Sequence, residues 1–402
     1  MKLNRNYSLL LLGQSFANIG DVLYMVSIIS TIFVLTGSAT AASFVPFTIT
    51  SSMFVSSLLT PLLIGKVNLK WLMAGSQIGK TILLVTLGFI LISITISNYY
   101  LIFLIIGLIA IFDGCASPIM QTLIPHYVKT EYLVRVNGMA ETVIQMIKAV
   151  MWFLGSLFLV ILSSHQLIWL VGGFFIFSSI LLCFLENVSH QTTESKGKLE
   201  QIKKGWKTLS NTPVLRKIAL MNFFETISGT VWIAAILYVF VSDALQVDKK
   251  WWGFINGAFF LGLILGSIYC FRYTSFVEKK FGAFIFVGSI GSFLVTLMFS
   301  LNSVPIFALL LSLCIGLFGQ IKNIPQQTVI QTSVSKEELS TVYTSLGAIG
   351  TGTFGVGSLI MGMVADLLGI RMVFVISGLL LAIVCIVVYN NKQLLVSNVI
   401  EQ

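Results

Sequence analysis

The sequence predicts an all-α membrane protein with twelve transmembrane helices in two pseudo-symmetric six-helix bundles. Three observations predict this fold class. Of the 402 residues, 56% are hydrophobic and only 10% are charged, whereas a soluble domain is about 45–50% apolar and about 25% charged. Apolar stretches of about 20 residues, the length that crosses a hydrocarbon layer of about 30 Å, recur along the whole chain. The first half of the sequence also resembles the second half.

The apolar stretches are continuous rather than alternating, which disfavours a transmembrane β-barrel. The first stretch is too long for a signal peptide, although Lys2 and Arg5 precede it, so we predict an uncleaved first helix. The predicted spans, in chain order, are Tyr7–Thr36, Thr40–Ile64, Trp71–Ile96, Tyr99–Ile124, Asn137–Leu162, Leu167–Leu185, Lys217–Val241, Trp251–Phe271, Phe281–Ser300, Val304–Gln327, Thr341–Val364 and Arg371–Tyr389.

The basic residues predict the orientation of these helices. With the N-terminus inside, eighteen of the 24 Lys and Arg residues lie in cytoplasmic segments, and only Lys249, Lys250 and Arg371 lie in outer loops. Cytoplasmic loops of membrane proteins carry this excess. Both termini are therefore predicted to be cytoplasmic, and the net charge of +9 does not require nucleic acid. A soluble enzyme, a nucleic-acid binder and a disordered scaffold are all disfavoured, because such an apolar surface could not be covered with polar groups.

The central loop divides the chain into two halves. It is polar and basic, and it predicts three regions: an N-terminal bundle over residues 1–186, a cytoplasmic linker over 187–216 and a C-terminal bundle over 217–402. Within the linker, Leu199, Ile202, Trp206 and Leu209 have helical spacing. This pattern predicts a short amphipathic helix at the inner membrane surface.

An internal repeat relates the two halves. Gln121-Thr122-Leu123-Ile124 recurs as Gln327-Thr328-Val329-Ile330, at an offset of 206. The same offset relates Val128 to Val334, Glu131 to Glu337, Leu133 to Leu339 and Val136 to Val342. Duplicated six-helix halves are typical of secondary transporters that bind substrate near the membrane midplane.

Motifs along nearly the whole chain resemble those of the major facilitator superfamily, and within it the drug and siderophore exporter branch that includes macrolide-efflux proteins. The residues that carry this resemblance are Gly13-Gln14-Ser15, Gly20-Asp21 and Thr36-Gly37-Ser38-Ala39 in and after helix 1; Ser117-Pro118, Pro125 and Asn137 around helices 4 and 5; Gly205-Trp206, Leu209 and Pro213-Val214-Leu215-Arg216 before helix 7; and Trp252-Gly253-Phe254, Gly262 and Gly266 in helix 8.

The resemblance implies a multidrug-efflux antiporter in the plasma membrane of a bacterium. Such a transporter acts as a monomer, uses the proton gradient rather than a cofactor, and binds its small-molecule substrate between the two bundles. Helices 1, 4, 7 and 10 would line the cavity. Two positions depart from the family's pattern: the loop 65–70 lacks the acid of the family's ion-pair latch, and Met151-Trp152 stand where exporters, which are antiporters, often have Gly-Pro.

Charged residues inside predicted spans are costly and are therefore candidates for function. Asp21, Asp113 and Glu225 are the candidate proton-coupling residues, because they lie on helices that the resemblance places around the cavity. Lys322 is a candidate for an anionic substrate group. Structural alternatives remain open: hydrogen bonding within helix 1 for Asp21, and pairing with Lys322 or Arg216 for Glu225.

Depth predicts one intramembrane ion pair. Asp113 precedes Pro125 by 12 residues and Lys148 follows Asn137 by 11, so at 1.5 Å per residue both lie about 17 Å from the inner surface. We therefore predict that Asp113 and Lys148 pair. Lys80 is expected to snorkel or to join two helices.

Further polar and aromatic residues on helices 1, 7 and 10 are candidates for the substrate cavity. These are Gln14, Asn18, Tyr24, Asn222, Trp232, Gln320, Lys322 and Asn323. Aromatic and acidic side chains together suit amphipathic cations. A dedicated exporter of one metabolite, such as a siderophore, peptide antibiotic or lysolipid, remains the alternative, since charges of both signs suit a zwitterionic or anionic cargo.

Enzymatic and metal-dependent functions find no support in the motifs. The sequence has no HExxH, no GxSxG and no GxxxxGK[ST], which disfavours a metalloprotease, a serine hydrolase and an ATP-driven pump. The three His and five Cys are dispersed, without the spacing of metal ligands. The predicted function is proton-coupled efflux of amphipathic compounds by alternating access.

Overall fold

A computed structural model describes residues 4–36, 39–64, 66–188, 198–232, 234–247 and 250–395. In these ranges the regular elements are helices, apart from one isolated bridge between Ile64 and Val67. This confirms the predicted all-α class. Several residues used above lie outside the described ranges, namely Lys2, Gly37, Ser38, Gly65 and Lys249.

Fifteen α-helices make up the described structure. They are α1 (Arg5–Thr36), α2 (Ala39–Leu59), α3 (Leu69–Ile90), α4 (Tyr100–Tyr127), α5 (Leu133–Ile161), α6 (Ser164–Cys183), α7 (Lys198–Asn211), α8 (Pro213–Gly229), α9 (Ala234–Val239), α10 (Lys250–Arg272), α11 (Thr274–Glu278), α12 (Phe281–Leu301), α13 (Pro305–Thr332), α14 (Lys336–Leu368) and α15 (Ile370–Asn390). Short 3₁₀ segments cover Thr60–Leu62, Thr130–Tyr132 and Thr230–Trp232.

In the described ranges, ten helices are long and apolar enough to cross a membrane. The other two predicted spans coincide with α5 and with the stretch from α8 to α9. The third span was predicted too long, because α3 ends at Ile90 rather than at Ile96. Beyond it, Asn98 Oδ1 accepts hydrogen bonds from the backbone and hydroxyl of Thr95. This turn replaces further helical hydrogen bonds.

The seventh span was predicted as one continuous helix, and this prediction is wrong. After α8 ends at Gly229, the backbone passes through the 3₁₀ segment Thr230–Trp232, and α9 is followed by a π-helical turn over Phe240–Ala244. The Thr230 hydroxyl donates a hydrogen bond to the backbone carbonyl of Ile227 at 2.7 Å. This carbonyl is therefore bonded by a side chain. Serine and threonine side chains that bond back to the preceding turn often bend helices.

Helices α4 and α13 reproduce the sequence repeat. Each has 28 residues, and both their first and their last residues are 205 positions apart, within one residue of the repeat offset. Helix α7 contains the predicted amphipathic segment, so its helical state is confirmed. Its position at a membrane surface stays a prediction.

The chain forms two compact units. The first comprises Met1–Lys129, Ile147–Lys207 and Lys336–Thr351, and the second comprises Thr130–Met146, Thr208–Ser335 and Gly352–Gln402. The beginning of α5 therefore belongs to the second unit, and the beginning of α14 belongs to the first. The bundle boundaries at residues 186 and 217 stay a prediction based on the repeat.

Each unit has its own apolar core. In the first, Leu, Ile and Val side chains of α1 to α4 and α6 surround the buried Tyr24 and Phe175. In the second, Phe240, Phe299 and Phe374 pack with ring centroids about 5 Å apart. Many large apolar side chains remain exposed on the helix surfaces, such as Leu301 and Leu367 at 80% and 81%, as expected where lipid replaces water.

Helices α10 and α13 approach each other closely through two glycines. A Cβ atom at Gly262 would lie 1.9 Å from the carbonyl oxygen of Leu313, and one at Gly316 would lie 2.3 Å from that of Phe259. Small residues permit such backbone contact between membrane helices. This crossing positions the α13 residues of the site described below.

Candidate functional site

A buried lysine joins three helices of the first unit. Lys80 of α3 places its Nζ 2.7 Å from Asp21 Oδ1 of α1 and also donates a hydrogen bond to Asp113 Oδ1 of α4. The Lys80 side chain is only 2% exposed, while those of Asp21 and Asp113 are 29% and 23% exposed. The ammonium is therefore buried, and the two carboxylates are partly accessible.

The charges of this cluster do not balance within it. Two carboxylates share one ammonium, which leaves one excess negative charge when both acids are ionised. Lys148 of α5 exerts an attractive electrostatic effect on Asp21, whereas Asp113 exerts a repulsive one. Because the shared ammonium is buried, its interactions with the two carboxylates are stronger than they would be at a solvated surface.

Aromatic rings and glycines position the cluster. Lys80 Nζ lies 4.8 Å from the centroid of the Phe175 ring, within the range of a cation–π interaction. Gly20 precedes Asp21 and Gly79 precedes Lys80. A Cβ atom at Gly20 would lie 2.4 Å from the Phe175 ring, and one at Gly79 would lie 2.6 Å from the Phe112 ring. The glycine before each charged residue therefore lets an aromatic ring pack directly against the backbone.

The predicted ion pair between Asp113 and Lys148 is wrong. In the described part of the chain, the cation that pairs with Asp113 is Lys80. Equal depth along two helices does not determine which faces of those helices meet, and here α3 brings Lys80 to both acids. Lys80 therefore joins helices, which was one of the two possibilities considered, and it does not snorkel.

The second unit contains an ion pair of its own. Lys322 Nζ of α13 lies 2.7 Å from Glu225 Oε2 of α8, and the two side chains are 12% and 15% exposed. One turn away, Gln326 Nε2 donates to Asn222 Oδ1 at 2.8 Å. Glu225 Oε1 and Gln326 Oε1 are buried without a hydrogen-bond partner among the described residues. Of the two partners left open for Glu225, the structure selects Lys322 rather than Arg216.

A fourth intramembrane acid, Glu141 of α5, was missed by the sequence analysis. Its carboxylate accepts hydrogen bonds from the side-chain nitrogens of Gln145 and Gln320 at 3.2 Å, and a longer one from Gln327 at 3.5 Å. Glu141 lies within the predicted span Asn137–Leu162, so the rule that marked Asp21 could also have marked Glu141. Its carboxamide neighbours on α13 could not have been assigned without the fold.

The same faces of α5 and α13 carry a second polar contact. Asn137 is 1% exposed and donates to Gln331 Oε1 at 2.7 Å and to the Thr328 hydroxyl at 3.3 Å. Asn137 and Thr328 both belong to motifs quoted above. Together with Glu141, this contact holds the beginning of α5 on α13.

The remaining cavity candidates have mainly local partners. Gln14 Nε2 lies 4.0 Å from the sulfur of Met73, Asn18 donates to the Gln14 carbonyl, and Asn323 lies 3.4 Å from Gln320 Oε1. Tyr24 is 1% exposed in the first core. Trp232 packs against Phe299 and Phe374 in the second. For Tyr24 and Trp232 these contacts indicate a packing role.

Groups of three or more His, Cys, Asp or Glu side chains that could hold a metal ion are absent from the described residues. Asp21, Lys80, Asp113 and Lys322 instead lie on helices that are long and apolar enough to span a membrane. Ionisable residues inside such spans mark substrate, ion and proton pathways. Fold and site thus define a polytopic helical membrane protein of the transporter class.

The chain belongs to the major facilitator superfamily. The model of the Major Facilitator Superfamily matches residues 10–350 and 218–394. The chain is 30% identical over 397 residues to the "Uncharacterized MFS-type transporter YfmI" of Bacillus subtilis, covering 97% of each chain. It is 27% identical over 382 residues to the "Uncharacterized MFS-type transporter YjbB" of the same species, covering 94% of this chain and 93% of the relative.

Solved structures share the fold at low sequence identity. The human organic anion transporter MFSD10 (TETRAN) superposes with a TM-score of 0.78 at 11% identity, covering 96% of this chain and 99% of that chain. A bacterial homologue of the iron transporter ferroportin, in an outward-facing state, superposes with a TM-score of 0.74 at 13% identity and the same coverage. These likenesses confirm the fold predicted for this membrane transporter.

Proposed function

We propose that this transporter is a proton-coupled exporter of amphipathic small molecules. It would lie in the bacterial plasma membrane with both termini in the cytoplasm and would act as a monomer, with the proton gradient as its energy source and no resident cofactor. The observation that carries the proposal is the sharing of Lys80 by Asp21 and Asp113.

A carboxylate pair that shares one lysine is suited to bind and release one proton. Two nearby like charges are hard to maintain at low dielectric, so the second ionisation is costly. One proton on the pair removes the excess negative charge and leaves a neutral cluster with Lys80. The proton belongs to the pair, because both carboxylates bond to the same ammonium.

Glu225 is a weaker candidate for proton coupling than the other two acids. Its charge is matched one to one by Lys322 at 2.7 Å, so a proton on Glu225 would leave Lys322 with an uncompensated charge. Such a loss of a buried partner is costly. The geometry therefore supports Asp21 and Asp113 as the coupling pair and gives Glu225 a pairing role.

The direction of transport and the amphipathic cargo rest on the exporter-like motifs of the sequence. The two solved structures that share the fold are an organic anion transporter and an iron-transporter homologue, and so support no single substrate. Lys322 and Glu225 together carry one positive and one negative charge. Glu225 Oε1 also lacks a hydrogen-bond partner among the described residues. That observation favours a second candidate, the export of one zwitterionic metabolite such as a peptide antibiotic or a lysolipid.

Transport in inside-out vesicles tests the proposal. A panel of cationic dyes, macrolides, lysolipids and anionic siderophores would be offered under an imposed pH gradient. We expect gradient-driven uptake by the wild type and its loss in D21N and D113N. E278Q, which changes an acid in the short helix α11, is the matched control. The coupling assignment would be overturned if the rate of uptake did not depend on the pH gradient, or if both D21N and D113N kept gradient-driven uptake.

A further inference from the structure

Glu141 differs from the other acids of the site in its partners. Asp21 and Asp113 share Lys80, and Glu225 pairs with Lys322. Within the described residues, the hydrogen-bond partners of the Glu141 carboxylate are three neutral carboxamides. Lys322 shares α13 with two of these carboxamides, but its Nζ is directed to Glu225. The negative charge of Glu141 is therefore solvated by amides rather than neutralised by a cation.

Carboxamides can serve this carboxylate in two ways. In the structure, Gln145, Gln320 and Gln327 present N–H donors to Glu141. A half-turn of a carboxamide exchanges its nitrogen with its oxygen and converts a donor into an acceptor. The same side chains can then stabilise the lone carboxylate, or accept hydrogen bonds from a cation that binds to it. A lysine partner could not change roles in this way, because an ammonium only donates.

A protonated primary amine matches this set of groups. It carries one positive charge and three N–H donors, and the site offers one carboxylate and up to three carboxamide oxygens. Glu141, Gln145 and Gln327 are partly exposed, whereas Gln320 is 2% exposed. The site therefore combines a partly exposed carboxylate with one buried carboxamide. A bound ammonium would neutralise the negative charge of Glu141, which the amides do not.

We propose that Glu141, with Gln145, Gln320 and Gln327, forms a binding site for the protonated amine of a transported compound. The inference rests on the proposed export of amphipathic compounds and specifies a chemical class for them, an apolar body with a primary amine. The carboxylate selects the amine over neutral analogues of the same shape.

Binding to the purified full-length protein tests this site without any ion gradient. The probes are monodansylcadaverine, an amphipathic primary amine, and its N-acetyl derivative, which keeps the fluorophore but has no charge. Binding is measured by energy transfer from the seven Trp residues to the dansyl group. We expect the wild type to bind the amine at least about tenfold more tightly than the acetylated probe.

The variant E141Q separates charge from hydrogen bonding. Glutamine keeps the length of the side chain and can still bond to the neighbouring carboxamides, so a purely structural tie would survive the change. We expect E141Q to lose the preference for the amine and to bind the acetylated probe as the wild type does. E278Q is the control and should keep the preference. If E141Q does not fold, E141D and E141N form a second matched pair, of which only E141D should keep the preference.

Two results would overturn the inference. One is a wild type that binds both probes equally or binds neither, and the other is an E141Q variant that still prefers the amine. Neither result depends on proton coupling, which the vesicle experiment measures. The two proposals can therefore fail separately.

Discussion

Lys80 Nζ of α3 lies 2.7 Å from Asp21 Oδ1 of α1, although the two residues are 59 positions apart in the sequence. The same ammonium also bonds to Asp113 of α4. One buried cation thus ties together three helices of the first unit and holds two carboxylates near each other. This relationship is the structural basis of the proposed proton site.

Removal of the Lys80 charge should destabilise the first unit. In K80M, two carboxylates remain close together without their shared cation, and breaking a buried pair in this way typically costs about 3–5 kcal/mol. We expect a large drop in the midpoint of thermal unfolding in detergent. The double variant K80M/D113N should recover part of the loss, because it removes one of the two unpaired charges. A double variant no more stable than K80M would contradict the shared pairing.

An exchange of charges should preserve the pair of the second unit. We expect E225K and K322E each to lower the midpoint of thermal unfolding, since each replaces an ion pair with a separation of 2.7 Å by two like charges. The double variant E225K/K322E restores opposite charges and should regain most of the loss. Double-mutant analysis of the four proteins measures the coupling. Additive effects would show that the two side chains do not interact.

A methyl group at the crossing of α10 and α13 should not be tolerated. In G262A the new Cβ would lie 1.9 Å from the backbone carbonyl of Leu313, and backbone cannot move aside as a side chain can. We expect G262A to reduce the yield of folded protein sharply. G257A lies in the same helix with nothing within 4 Å of the new Cβ, and alanine is the better helix former by about 1 kcal/mol. That control should be neutral or stabilising, and equal behaviour of the two variants would refute the close contact.

The linker helix α7 should detach from α14 when its glycine is enlarged. A Cβ atom at Gly205 would lie 2.3 Å from the carbonyl oxygen of Thr341. We expect G205L to expose α7, so that trypsin cleaves at Lys203, Lys204 and Lys207 faster than in the wild type. The substitution S210L, at an exposed position of the same helix, serves as the control. An unchanged cleavage rate in G205L would mean that α7 is not held there.

Local pattern sufficed for most helices but not for the seventh. Long apolar runs predicted α4 and α12 within a few residues, because a span of lipid requires its own length of apolar chain. The interruption after Gly229 was not predictable in this way, because Thr230 and Val231 occur equally well within a continuous membrane-spanning helix. At the interruption, the Thr230 hydroxyl bonds to the Ile227 carbonyl and Trp232 packs on Phe299 and Phe374, and the second of these contacts depends on the fold.

The sequence alone determined the class of this protein and the position of most of its long apolar helices. Those properties depend on composition and on spacing along one chain, and they follow from the cost of placing polar groups in lipid. Tertiary structure decided the partners: Lys80 rather than Lys148 for Asp113, Lys322 rather than Arg216 for Glu225, and only carboxamides for Glu141 among the described residues. Partners depend on which helix faces meet, and helix rotation and crossing are set by close contacts such as Gly262 on Leu313, which lie far apart in sequence.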